Sequence, residues 1–128
     1  MATWSSVSVD AFKAAEILRS RAARSAVNRA YFAAYATVAG VLAKDPSITF
    51  AQGRPNPGHG NLINYVQQSL PKQGYSQQLV NIVKRNLRNL YKDRIRADYV
   101  PTEDIDDGTV MNSMRRAAQI RNELGPTT

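Results

Sequence analysis

The side chains best suited to chemistry on a phosphodiester are one histidine and a short run of arginine, aspartate and tyrosine near residue 95. His59 is the only side chain whose unperturbed pKa lies near neutrality. It stands between Gly58 and Gly60, where the backbone can approach a ligand closely. It can donate a proton or contact phosphate, or it can simply cap a helix or face solvent. Arg94, Arg96, Asp98 and Tyr99 lie close together downstream. Acid–base chemistry at a phosphodiester without a metal requires one group to take a proton, one to give a proton and a cation to stabilise the charge that develops on the phosphoryl oxygens. Arg94 or Arg96 can supply the cation. Asp98 can accept a proton or pair with Arg94. Tyr99 can donate a proton, since a phenol is a better donor than acceptor at neutral pH.

Charge favours a phosphate-bearing partner. Seventeen Lys and Arg stand against ten Asp and Glu, a net charge of +7, and the bases are 12 Arg and 5 Lys. Guanidinium donates two parallel hydrogen bonds to phosphate, whereas an ammonium is a hydrated point charge. Arg85, Arg88, Lys92 and Arg96 are the candidate nucleic-acid contacts, close enough together to meet several phosphates. A basic surface that only keeps the protein in solution is the competing reading. Tyr31, Phe32 and Tyr35 could stack on bases, and at helical spacing they also suit a core.

Other chemistries lack their residues. With no cysteine and one histidine, a thiolate metal site, a thiol nucleophile and a disulfide scaffold are excluded. The acids Glu103, Asp104, Asp106 and Asp107 read as a helix N-terminal cluster and not as a calcium loop. No glycine-rich nucleotide loop ending in Lys-Ser/Thr is present. Neither a metal nor a cofactor is expected. No apolar stretch reaches membrane-spanning length and no secretory signal is visible, so a soluble, cytoplasmic protein is expected.

The elements that must position these residues are helical. Apolar residues at helical spacing predict helices over residues 9–20, 25–43, 61–70, 76–93 and 102–124, with no strand alternation. Pro71 and Gly74 separate the third from the fourth, and residues 94–101 read as a break before the last. Residues 44–60 hold three prolines and three glycines and read as a long loop. The expectation is an all-α, four- or five-helix up-down bundle over residues 9–124, with tails at 1–8 and 125–128.

Three segments carry a family resemblance. Ser25-Ala26-Val27-Asn28-Arg29-Ala30-Tyr31-Phe32-Ala33-Ala34-Tyr35 resembles the second helix of HEPN proteins. Leu90-Tyr91-Lys92-Asp93-Arg94-Ile95-Arg96-Ala97-Asp98-Tyr99 is similar to the family's leucine-tyrosine, arginine and alanine-aspartate-tyrosine segment. Gly58-His59-Gly60-Asn61-Leu62-Ile63 resembles the histidine-containing start of its third helix. The resemblance implies an HEPN-like bundle, a homodimer, and a nucleotidyltransferase as antitoxin partner in toxin–antitoxin or antiphage defence systems. It also implies metal-independent ribonuclease activity at an arginine followed after four to six residues by a histidine. Counted from Arg94, those positions hold Tyr99, Val100 and Pro101, so the motif is incomplete there. Arg94, Asp98, Tyr99 and His59 are the expected catalytic group, and a catalytically silent module holding nucleic acid or a nucleotidyltransferase is the alternative.

Overall fold

The computed structural model describes residues 3–19, 22–48 and 58–125. These residues form five helices and no strand: α1 Trp4–Leu18, α2 Ala23–Leu42, α3 His59–Ser69, α4 Gln77–Tyr99 and α5 Asp107–Leu124. The expectation of an all-α fold holds. Residues 49–57 of the proline-rich loop and residues 126–128 of the C-terminal tail lie outside the described residues.

Three helix boundaries lie five residues or more from the sequence reading, each for a local reason. α1 starts five residues earlier than expected, so residues 4–8, read as a tail, are helical. Thr3 and Ser6 form a reciprocal capping box: Thr3 Oγ1 accepts from the Ser6 amide at 3.0 Å, and Ser6 Oγ accepts from the Thr3 amide at 2.9 Å. Two amides that a helix start would leave unpaired are thus satisfied. Ser8, polar in the sequence, is buried because its hydroxyl donates to the Ala33 carbonyl at 2.8 Å and pairs with Thr37 Oγ1 at 2.6 Å.

α4 runs six residues past the predicted stop and carries Arg94, Arg96, Asp98 and Tyr99 on its last two turns, where a break had been expected. No glycine or proline interrupts it before Pro101, and Ala97 is buried. The Arg24 guanidinium closes its end. Nη1 donates to the carbonyls of Arg96 at 3.1 Å, Ala97 at 2.9 Å and Val100 at 3.1 Å, and Nη2 donates to those of Pro101 at 3.3 Å and Glu103. α5 correspondingly starts later, at Asp107, because Asp106 caps it by accepting from the Thr109 amide at 2.7 Å. Glu103 and Asp104 therefore precede the helix.

α2 is the central element and packs against all four others. Its buried alanines bring neighbouring backbones close, and Val27, Tyr31, Val38 and Leu42 fill the core with Leu62 of α3, Leu70 just after it, Leu87 and Leu90 of α4 and Ile120 of α5. Direction follows from the contacts. Trp4 lies against Gly40 while Ser8 meets Ala33 and Thr37, so α1 is antiparallel to α2; Asn28 meets Asp98 while Tyr31 meets Tyr91, so α4 is antiparallel as well. Asn86 bonds Gln119 and Asp93 bonds Ser113, which sets α5 antiparallel to α4. The junction after α2 is held by Asp45, whose buried carboxylate accepts from Ser69 Oγ at 2.7 Å, from Ser47 Oγ at 2.7 Å and from the Ser47 amide at 3.0 Å. The Ser69 hydroxyl first, and then Ser47, hold this carboxyl well below the ordinary range.

Candidate functional site

Four helices converge on one open cleft of about 460 Å³. α1 contributes Trp4, α2 contributes Phe32 and Tyr35, the start of α3 contributes His59, and α4 contributes Tyr91 and Arg94. The floor is Tyr31, which is 2% exposed and touches the rings of Phe32, Tyr35, His59 and Tyr91 at centroid distances of 5.6, 6.1, 5.8 and 5.8 Å. Sequence spacing placed Tyr31 in a core stripe, and it is there; its phenol nevertheless reaches the cleft.

His59 is held on two sides. Its ring stacks on Tyr91 at 3.8 Å with planes 10° apart, and Nδ1 lies 3.0 Å from Tyr31 Oη. The backbone leading to it is fixed too: the Gly58 amide donates to Tyr35 Oη at 3.2 Å, and Gly58 adopts φ +71°, which a side chain would disfavour. Burial, and then the nearby Arg94 cation, lower the His59 pKa from its ordinary value, so the imidazole is neutral at pH 7. When Nδ1–H donates to Tyr31, the Nε2 lone pair is left to act as a base. Burial raises the pKa of Tyr31 and of Tyr35, so both phenols keep their protons.

Arg94 lies beside this wall. Its guanidinium carbon is 5.3 Å from the ring centroids of both Tyr31 and Phe32, and Nε pairs with Asp98 Oδ2 at 3.2 Å. Asp98 Oδ2 also accepts from Asn28 Nδ2 at 2.9 Å. Asp98 therefore orients Arg94, the pairing that sequence reasoning weighed against a catalytic role for the carboxylate.

The remaining expected site residues are separated from the cleft. Tyr99 is 65% exposed and does not line it. Arg96 pairs with Asp93 at 3.4 Å and with Glu103, and its pKa is raised first by the Glu103 hydrogen bond, so its charge is already matched by protein carboxylates. Arg85, Arg88 and Lys92 are exposed, share one face of α4 at spacings of three and four, and form no ion pair among the described residues. Tyr99, seven residues after Lys92, continues that face.

Sequence reasoning grouped His59 with Arg94 but gave no contact between them, because they stand 35 positions apart, at the start of α3 and near the end of α4. It also gave Tyr91, Asn28 and Arg24 no role at the site. One signal was open to it. Counting forward from Arg94 overlooks Arg54, which precedes His59 with Pro55-Asn56-Pro57-Gly58 between them, within the interval that the HEPN resemblance implies. Arg54 lies outside the described residues.

No family model matches the chain, and comparisons with curated proteins and with solved structures find no match either. No helix among the described residues is long and apolar enough to cross a membrane.

Proposed function

We propose that this chain is an HEPN-like, RNA-directed protein that cleaves a phosphodiester bond at the Tyr31–His59–Tyr91–Arg94 cleft. The observation that carries this reading is a neutral, half-buried histidine, fixed by a phenol and a stacked ring, on the wall of an open cleft that also holds a guanidinium. His59 Nε2 takes the proton of a ribose 2′-hydroxyl, and the 2′-oxygen attacks phosphorus. Arg94 stabilises the charge on the phosphorane as it forms. The bond from phosphorus to the 5′-oxygen breaks, and that oxygen takes a proton from solvent in the open cleft. The products are a 2′,3′-cyclic phosphate and a free 5′-hydroxyl, and the imidazolium returns its proton to solvent.

Arg94→Ala tests the assignment. Cleavage of single-stranded RNA is expected to fall on the order of 10²-fold, with helical content by circular dichroism unchanged. Undiminished cleavage by a folded variant removes Arg94 from the mechanism.

The stripe Arg85, Arg88 and Lys92 supports RNA binding apart from the chemistry. Binding measured against salt is expected to fall steeply, and replacing all three by alanine should flatten the log–log slope by about 2, at roughly 0.7 per phosphate contact on a single strand. A slope that the triple variant leaves unchanged places the RNA elsewhere.

The resemblance further assigns the chain to a homodimer acting as the effector of a toxin–antitoxin or antiphage system, with a nucleotidyltransferase as antitoxin. Sedimentation at micromolar concentration should give twice the 14.2 kDa chain mass. The second reading, a catalytically silent module that binds nucleic acid or a nucleotidyltransferase, is favoured by the ion pair that already engages Arg94. RNA binding without any cleavage dependent on His59 decides for it.

A further inference from the structure

A second cavity, of about 370 Å³, lies on the other side of Trp4 between the start of α1, the C-terminal half of α2 and the end of α5. Its volume is within the range of small-molecule sites. Trp4, Val9, Ala36 and Val41 give it an apolar lining, and the side chains of Lys44 and Arg121 stand at it. No aspartate or glutamate is among the residues that line it. Neither Lys44 nor Arg121 forms an ion pair among the described residues, although the same fold pairs Lys72, Arg94, Arg96 and Arg116 with carboxylates. Arg121 is held instead by its stack on Phe12, with the guanidinium carbon 4.6 Å from the ring centroid.

An apolar chamber lined by two cations and by no acid, with Glu16 acting on Arg121 only from outside the lining, has the wrong sign for a cationic guest. A cation at a partly desolvated site gains most from an anion that brings its own apolar body, because the body displaces water from the lining while the head meets the charge. We propose that this cavity binds an amphipathic organic anion, a carboxylate with an aliphatic or aromatic body, whose head lies between Lys44 and Arg121 and whose body rests on Trp4. The hydroxyls of Ser8 and Thr37 bond each other and the Ala33 carbonyl, so they line the chamber without claiming a polar guest.

Trp4 makes the site measurable without any enzyme assay, since it is the only tryptophan in the chain and its fluorescence reports on this wall. Decanoate titrated into the full-length protein is expected to change Trp4 emission saturably at one molecule per chain. Decylamine, with the same chain and the opposite charge, should cause no saturable change over the same range. Lys44→Gln and Arg121→Gln should each weaken decanoate binding about 10-fold or more, an effect of the size that removing one charge-assisted contact produces. Lys44 is exposed, so its variant is expected to fold, and unchanged melting by circular dichroism confirms this before binding is read. Equal responses to decanoate and decylamine, or decanoate binding that a folded Lys44→Gln variant leaves intact, overturn the proposal. The readout is binding alone, so its failure leaves the ribonuclease reading standing, and an inactive cleft leaves this site untouched.

Discussion

His59→Ala is expected to lower RNA cleavage about 10³-fold, within the 10²- to 10⁴-fold contribution of a positioned acid–base group, while the protein stays folded. The ring is half-buried on the cleft wall and forms no part of the main apolar cluster, so its loss removes one stack and one hydrogen bond. The pH profile separates a base from a structural histidine. Burial and Arg94 depress the His59 pKa, which favours the neutral form in the folded protein. A base of this kind gives activity that rises with pH to a plateau, with its midpoint below the ordinary histidine pKa of about 6.5. The sign for stability follows: the folded state resists protonating His59, so its contribution is intact above pH 6.5 and is lost as pH falls below that value, where the unfolded chain binds the proton more readily. In Arg94→Ala the plateau should move toward higher pH, because a cation that disfavours the imidazolium is gone. A cleavage rate in His59→Ala equal to that of the native chain removes the histidine from the chemistry.

Arg24→Ala is expected to cost about 2 kcal/mol of stability, near the value of one well-formed hydrogen bond to a charged group. That corresponds to a fall of roughly 8 °C in melting temperature for a domain of this size. The guanidinium reaches five carbonyls at and just beyond the C-terminus of α4, where helical carbonyls lack amide partners and the dipole favours a cation. Arg24→Lys should recover less than half of the loss, since a single ammonium cannot span that set. Amide exchange should accelerate at residues 97–100 in the alanine variant, ahead of the rest of the helix. Cleavage should fall as well, because Asp98 orients Arg94 from the turn that Arg24 anchors. Unchanged melting together with unchanged exchange would show that α4 reaches Tyr99 by its own propensity.

The all-helical class was legible in the chain alone because buried helix faces leave a periodic record. Val27, Ala30, Tyr31, Ala34, Val38 and Val41 repeat at three and four, as do Leu79, Val83, Leu87 and Leu90, and both stripes face the core. The chemical candidates were legible by type, since one histidine and a cluster of arginines leave few choices for proton transfer and phosphate contact. The helix ends were not. The capping hydroxyls of Thr3 and Ser6, and the carbonyls that Arg24 satisfies from another helix, are polar contacts without a period. Only the tertiary structure decided that Arg94 joins His59 through Tyr31 while Arg96 turns to Glu103 and Tyr99 to solvent. Residues 94, 96 and 99 are neighbours along the chain, but an α-helix turns about 100° per residue, so packing against α2 keeps Arg94 at the cleft and carries the other two away from it.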